Sequence, residues 1–268
     1  MSETGQQRKE REHQEDLQRL RDFRPIDDDF MRCLFKDNIP LAELVLRVIT
    51  GKRDLVITRC ETQKDMKRLG GARSVCLDAY GIDSMGKRYD LEIQRADKGA
   101  DPHRARYHSS VLDIENLDAG QEFHELPDTY TIFITEEDFY GMGEPLYVIE
   151  RMNLTTGKGF EDGEHILYVN GQYRGESDLG KLMYDFSCTR ADDMNFELMA
   201  ERTRYLKENP KGVEEMCKSM EDMRKEVVEN TLLQTIISLM ETTKWPVEQA
   251  MDALQIPDAD KEKYLSRL

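Results

Sequence analysis

The alternation of hydrophobic and polar residues predicts helices followed by strands in the N-terminal part of the chain. Apolar residues recur with helical spacing around Phe30 and again over 40–50. Residues 54–60 and 74–82 instead alternate with a period of two, which is typical of half-buried strands. A short turn then leads into a return strand over 88–95, so we expect the last two strands to form a hairpin.

The same pattern predicts another helix, more strands and a helical end to the chain. A helix is expected over 102–117, where a proline opens it, and a strand of strong β character follows over 129–135. Further strands are expected over 146–152 and 165–169, between turns that contain glycine. After residue 178 the apolar residues keep helical spacing to the C-terminus.

These elements predict an α/β fold with three regions. The first is a charged N-terminal arm over 1–25, either helical or disordered, and the second is an α/β domain over 26–175. We expect that domain to contain a mixed sheet flanked by helices. The third region, 178–268, is predicted to be α-helical, and we expect any homo-oligomer to form through it.

Length and composition exclude several classes of protein. The chain has 268 residues, 38% of them hydrophobic, which is enough to bury a sizeable core. No apolar run approaches the roughly 18 residues of a membrane span, and the charged N-terminus is no secretory signal. The five cysteines are scattered without CxxC spacing, so neither a disulfide framework nor a zinc knuckle is expected. A reducing cytoplasm is the expected location.

Charge is distributed unevenly along the chain. The net charge of −16 argues against non-specific binding of nucleic acid by the whole surface. Residues 29–106, however, carry 16 basic and 12 acidic side chains, while every other part of the chain is acidic. We therefore expect any phosphate-binding face to lie within 29–106.

Two carboxylates are predicted to meet on one face of the hairpin. Strand alternation places Asp90, Glu92 and Gln94 on one side of the return strand, and Asp78 faces the same way from the partner strand. Adjacent carboxylates repel each other, and a hard cation such as Mg²⁺ removes that penalty. Spacing alone leaves a second interpretation open, a half-buried strand with a solvated polar face, because Glu-x-Gln occurs three times in the chain.

The order of these elements resembles the PD-(D/E)XK nuclease core, and more specifically the PD-(D/E)XK nuclease family transposases, also called Rpn recombination-promoting nucleases. The resemblance covers about 26–210. It is carried by Asp29-Phe30 with Leu34-Phe35 and by the segments 76–80 (CLDAY), 90–94 (DLEIQ), 104–110 (RARYHSS), 131–134 (TIFI), 179–186 (LGKLMYDF) and 192–194 (DDM).

The resemblance implies metal-dependent hydrolysis of phosphodiester bonds in DNA, in recombination or transposition. It implies that Asp78, Glu92 and the backbone carbonyl of Ile93 bind Mg²⁺ or Mn²⁺. The last motif position, lysine in the broad superfamily, is Gln94 here, and its amide can orient a water or a phosphate oxygen. The residue before Asp78 is leucine instead of the proline of the superfamily's name.

Other residues are candidates for further roles in such a site. Arg104 and Arg106 are candidates for DNA phosphate contacts, and Asp29 or Glu43 could supply an early acidic group. Asp90 is expected to act electrostatically or to face solvent. The five histidines have no ligand spacing with the cysteines, and ordinary surface contacts are expected for His103 with Tyr107 and for Arg104 with His108, which share a helix face. A catalytically decayed relative that binds proteins through its acidic surface remains the alternative function.

Overall fold

The computed structural model describes residues 5–65, 76–94, 97–265 and 267–268. The helices are α1 (Gly5–Asp22), α2 (Asp28–Phe35), α3 (Ile39–Thr50), α4 (Pro102–Asn116), α5 (Asp178–Ser187), α6 (Glu197–Glu208), α7 (Pro210–Thr243), α8 (Val247–Ala253) and α9 (Asp258–Leu265). The strands are β1 (Ile57–Asp65), β2 (Cys76–Asp83), β3 (Arg88–Gln94), β4 (Thr129–Thr135), β5 (Leu146–Ile149), β6 (Met152–Asn153), β7 (Lys158–Gly159) and β8 (Glu164–Asn170).

Six of these strands form one mixed sheet in the order β1-β2-β3-β4-β8-β5. The first three strands are antiparallel, β3, β4 and β8 run parallel, and β5 is antiparallel to β8. Strand β3 therefore lies in the interior of the sheet, between β2 and β4. The predicted α/β class, a mixed sheet with flanking helices, is confirmed.

The two faces of β3 meet different layers of the fold. Tyr89, Leu91 and Ile93 are buried in the main core, which also contains the apolar stripes of α2 and α3. Asp90 and Glu92 are buried on the opposite face, on the side of α4. Because side chains alternate along a strand, this one strand contributes both to the hydrophobic core and to a buried polar layer.

Helix α4 begins in the way the sequence predicts and covers the polar layer. Pro102 is in its first turn, and the Asp101 side chain accepts a hydrogen bond from the backbone nitrogen of His103. Its buried residues Ala105, His108 and Leu112 recur with helical spacing, and the helix packs against β4 and β8. Polar groups beneath α4 are therefore shielded from water.

The predicted hairpin and the predicted strand over 129–135 are confirmed, whereas the first strand is shifted. The prediction placed it over 54–60, and it begins at Ile57. Leu55 instead belongs to a turn, in which its backbone nitrogen donates to the carbonyl of Lys52. The backbone nitrogen of Ile57 donates to the Glu43 carboxylate, and pairing with β2 then extends β1 to Asp65.

The structure has two compact units, and the boundary between them does not coincide with the boundaries of the three predicted regions. One unit ends at Cys217, and the other runs from Lys218 to Leu268. The predicted arm contains α1, whose Leu20 is buried in the main core. Helices α5 and α6 contribute Phe186 and Met199 to that same core, because their apolar stripes face it.

The second unit has its own small core. Ile236 of α7, Met251 of α8 and Tyr264 of α9 are buried together there. Helix α7 has 34 residues, but its sequence is interrupted by charges throughout. Within the described part of the chain, no helix combines the length and the apolar character that crossing a membrane requires.

Candidate active site

Asp78 and Glu92 lie together where the pairing of β2 with β3 ends. The backbone nitrogen of Asp78 donates a hydrogen bond of 3.0 Å to Glu92 Oε1. In return, the backbone nitrogen of Ile93 donates one of 3.2 Å to Asp78 Oδ2. The regular register of the hairpin runs from Ile82–Arg88 to Ala79–Leu91, so these side chains continue the pairing after the backbone ladder stops. The structure thus brings together the two carboxylates that the alternation pattern predicted to converge.

The direction of the Ile93 backbone is fixed by the same contact. In an extended strand, the N–H and C=O groups of one residue point toward the same neighbouring strand. Since the Ile93 N–H reaches the Asp78 side chain, its carbonyl is also directed toward β2. The carbonyl therefore faces the side of β3 on which Asp78 lies.

Arg104 holds the second oxygen of Glu92. Its Nη2 donates a hydrogen bond of 3.0 Å to Glu92 Oε2. The Glu92 carboxylate is fully buried, while the Arg104 side chain is 40% exposed and so forms the solvent-facing border of the site. Arg106, two positions further along α4, is exposed and points to another side of the helix. The two arginines predicted to bind phosphate are therefore not brought together.

Asp90 and His108 are buried. Of the two roles expected for Asp90, electrostatic or solvent-facing, burial excludes the second, and it also corrects the expectation of an ordinary surface contact for His108. Instead, His108 Nδ1 lies 3.1 Å from Asp90 Oδ2, and both side chains are shielded by the packing of α4 on the sheet. The His108 ring also packs against Phe133 of β4, with ring centroids 5.9 Å apart.

One sequence signal could have revealed this burial. Ala105, His108, Ser109 and Leu112 share one stripe at helical spacing, and this stripe is the buried face of α4. His108 sits in the middle of that stripe. Its position therefore predicts contact with whatever layer lies under the helix.

Burial and mutual repulsion raise the pKa values of all three carboxyl groups. Burial raises the pKa of Asp90 well above its ordinary value, and the nearby charge of Asp78 raises it further. The pKa of Glu92 is raised by burial and then by the charges of Asp90 and Asp78. The pKa of Asp78 is raised by burial, against the opposing effect of the hydrogen bond from Ile93. Charging these groups without a cation is therefore costly.

The two candidates for an early acidic group make other contacts. Asp29 Oδ2 lies 3.6 Å from Arg19 of α1. Glu43 pairs with Arg47 at 2.7 Å and accepts the hydrogen bond from Ile57 that starts β1. The acidic charge of α2 that acts on Asp78 is Asp28, the residue before the predicted one.

The backbone of Gln94 ends β3 in register with Thr135 of β4. Its side chain lies outside the described residues.

A comparison with known protein families matches the part of the chain that contains Asp78 and Glu92. Residues 41–173, about half of the chain, match the family model described as PD-(D/E)XK nuclease family transposase. The chain belongs to this family through that segment. Comparisons with curated proteins and with solved structures give no match.

Membership of the PD-(D/E)XK nuclease transposase family supports a nuclease-like or transposase-like role. The matched segment runs from α3 to just beyond β8, and it contains both Asp78 and Glu92 as well as Arg104 of α4. Asp29 lies before it. The family match and the convergence of carboxylates thus concern the same part of the fold.

The donor groups of this PD-(D/E)XK site fit a divalent cation. Within the described ranges, Asp90, Glu92 and His108 form a group whose ligand atoms all lie within 4.8 Å of one another. Asp90 Oδ1 is buried and has no hydrogen-bond partner among the described atoms. Carboxylate oxygens are the preferred ligands of Mg²⁺ and Mn²⁺, and a cation would offset the repulsion that raises the carboxyl pKa values.

Hydrogen bonding makes the carboxylates better ligands here than the imidazole. Arg104 Nε can only donate, so its contact of 3.2 Å with His108 Nε2 requires that nitrogen to accept. A neutral His108 then carries its proton on Nδ1, directed at Asp90. Metal binding at Nδ1 would require that proton to move to the nitrogen now facing Arg104. The oxygen ligands need no such change.

Proposed function

We propose that this chain is a metal-dependent DNA endonuclease that hydrolyses phosphodiester bonds during DNA recombination or transposition. The reciprocal contact of Asp78 with the Glu92 segment supports the proposal more than any other observation. A buried carboxylate, Glu92, and a half-buried one, Asp78, accept hydrogen bonds from each other's strand and are pre-arranged where the regular ladder ends. Structural stability alone gives no reason to concentrate such charge in the interior, because burial of charge is destabilising.

Asp78, Glu92 and the carbonyl of Ile93 would hold the cation, Mg²⁺ or Mn²⁺. When bound, such a cation polarises a phosphate oxygen and a water and neutralises the charge that develops during hydrolysis. The chain's own part is to fix the donor oxygens. Strand β3 supplies both Glu92 and Ile93, so the interior of the sheet sets the distance between them.

Gln94 is proposed to orient the attacking water or a phosphate oxygen. Its amide can accept and donate hydrogen bonds but carries no charge, unlike the lysine of the broad superfamily. Alternation in the sequence predicts the same face for Gln94 as for Glu92. Arg104 brings a positive charge to the site by its contact with Glu92 Oε2.

DNA binding is proposed to use the basic part of the chain around the site. Arg104 is held by Glu92 and His108 but keeps part of its guanidinium exposed, so it can meet a phosphate at the border of the site. Arg106 is exposed on α4 and would contact the DNA backbone further from the site. Arg106→Ala should weaken DNA binding for all sequences alike and reduce the salt slope by about one.

A plasmid-nicking assay tests the proposal. Supercoiled plasmid is incubated with the wild type, with Glu92→Ala and with Asp78→Ala, in Mg²⁺, in Mn²⁺ and in chelator. We expect nicking by the wild type in metal only, and loss of at least two orders of magnitude in each variant. Exposed Glu161→Ala serves as the matched control because it removes a carboxylate away from these strands.

Two results would count against an active nuclease. Nicking that persists at the wild-type rate in Glu92→Ala would identify a contaminating nuclease. Absence of nicking by the wild type on supercoiled, linear and single-stranded DNA would favour the alternative, a decayed relative that binds proteins. The net charge of −16 is the observation that favours that alternative.

A further inference from the structure

We propose that Asp90, His108 and Arg104 form a hydrogen-bonded relay that positions the Glu92 carboxylate for metal binding. This inference rests on the proposed function, since it assigns Glu92 as a ligand. The proposed ligands remain Asp78, Glu92 and the Ile93 carbonyl, and the relay assigns a positioning role to three other residues. They are positioning residues, and each acts on the site through the next one.

The relay is continuous and has one direction. His108 Nδ1 lies 3.1 Å from Asp90 Oδ2, Arg104 Nε lies 3.2 Å from His108 Nε2, and Arg104 Nη2 lies 3.0 Å from Glu92 Oε2. Arginine has no acceptor atom, so every hydrogen bond in the series has its donor fixed. Arg104 donates to both Glu92 and His108, and His108 donates to Asp90.

Both ends of the relay are attached to rigid elements. Asp90 and Glu92 are two residues apart on β3, on one face of an interior strand. Arg104 and His108 are four residues apart on α4, which places them on one face of the helix. The relay therefore forms a closed connection between strand and helix, and neither the arginine nor the carboxylate can turn without breaking a bond.

Burial gives the relay its strength. Asp90, Glu92 and His108 are all shielded from solvent, and hydrogen bonds in such surroundings are stronger than in water. Arg104 alone is partly exposed. Its guanidinium would otherwise sample many rotamers, and the contact with His108 restricts it to the one that meets Glu92.

A purely structural role explains Asp90 poorly. The carboxylate is fully buried, and one of its oxygens has no partner among the described atoms. An apolar residue of similar volume at this position would avoid that desolvation cost. Orientation of His108, and through it of Arg104, provides a reason for a charged side chain at position 90.

The test compares His108→Leu with His108→Gln. Leucine fills the space but breaks both hydrogen bonds. Glutamine offers a donor and an acceptor about as far apart as the two ring nitrogens, so it can bridge Asp90 and Arg104. The exposed His124→Leu is the matched control. Calorimetric titration of Mn²⁺ into each metal-free protein gives the metal affinity.

We expect His108→Leu to weaken Mn²⁺ binding about 10- to 100-fold, the range typical for loss of a group that orients a ligand. His108→Gln should stay within about threefold of the wild type, and His124→Leu should be unchanged. Equal affinity in the wild type and His108→Leu would overturn the relay. So would an equal and severe loss in both His108 variants, because that result would make the imidazole itself a metal ligand.

A second measurement needs neither metal nor activity. In protein with ¹⁵N-labelled histidine, the His108 signal is assigned from its absence in His108→Leu. The relay requires the ring proton on Nδ1, whereas a proton on Nε2 would exclude the donation by Arg104 and overturn the proposal. The proposed nuclease function fails separately if the wild type binds Mn²⁺ but nicks no DNA. Absence of Mn²⁺ binding by the wild type would refute both.

Discussion

Asp90→Asn should stabilise the metal-free protein at neutral pH. The substitution removes one of two neighbouring buried carboxylates, Asp90 and Glu92, and keeps an oxygen that can accept the hydrogen bond from His108. The ligand atoms of Asp90 and Glu92 lie within 4.8 Å of each other. At that separation, two unit charges in a medium of effective dielectric constant 20 repel by at least about 3.5 kcal/mol.

The net gain is smaller than this repulsion. The amide nitrogen would take the place of an oxygen that has no partner among the described atoms, so its own desolvation offsets part of the gain. We expect the free energy of unfolding to rise by about 2 kcal/mol at pH 8. For a unit of this size, that corresponds to an increase in Tm of about 4 to 8 °C.

The pH dependence gives the sharper measurement. A carboxyl group whose pKa is higher in the folded state binds more protons there than in the unfolded state, so stability falls as pH rises through the interval between the two values. The wild type should therefore lose stability from about pH 4 upward, by at most about 1.4 kcal/mol per pH unit for each such group. In Asp90→Asn the contribution of one carboxyl group to this pH dependence should be absent, so the free energy of unfolding should fall less steeply with pH.

Urea denaturation at a series of pH values, in chelator, measures both quantities. Asp118→Asn is the control, since Asp118 is exposed and should change neither stability nor slope. The advantage of Asp90→Asn should be nearly lost by pH 4, because the pKa of Asp90 is raised in the folded state and the unfolded carboxyl is already about half protonated there. A difference that is the same at pH 4 and pH 8, or a less stable variant at pH 8, would refute the electrostatic argument.

Three further predictions concern metal, catalysis and folding. Millimolar Mn²⁺ should raise the Tm of the wild type but not that of Asp78→Ala, because a ligand stabilises only the state that binds it; an equal rise in both would place the ion elsewhere. Gln94→Ala should slow cleavage by about one to three orders of magnitude while the Mn²⁺-induced rise in Tm remains, as measured by nicking and thermal unfolding of the same preparation. Lys207→Met should lower the free energy of unfolding by about 3 kcal/mol, because Lys207 Nζ donates hydrogen bonds to the carbonyls of Arg21, Phe23 and Thr189. The exposed Lys211→Met is the control, and an unchanged urea midpoint in Lys207→Met would contradict this role.

The sequence predicted correctly those features that depend only on residues close to one another in the chain. The strand over 129–135 is a run of apolar and β-branched residues that the interior of the sheet buries on both faces, so its bounds agree with the prediction. Convergence of Asp78 with Glu92 followed from strand alternation and a short turn alone. Each of these inferences needs only a few neighbouring residues.

The remainder of the site depends on contacts distant in sequence. The burial of Asp90 is set by α4, which begins more than ten residues later and packs across β4 and β8. The sequence shows the charge of Arg104, on which the predicted phosphate contact rests, but it does not show the pairing of Arg104 with Glu92. The contact of Glu43 with Ile57 likewise joins a helix to a strand that the pattern placed three residues too early.

Because side chains alternate along β3, an insertion or deletion in this strand has a different consequence from a substitution. A one-residue insertion or deletion within 88–94 would exchange the core residues with the carboxylates, so the chain would misfold and be degraded by proteases. A substitution such as Glu92→Gln would instead remove a proposed metal ligand while leaving the strand alternation, and with it the core, in place. Quality control in the cell would not recognise such a copy. Lineages could therefore accumulate folded, inactive copies that still compete with active ones for the same DNA.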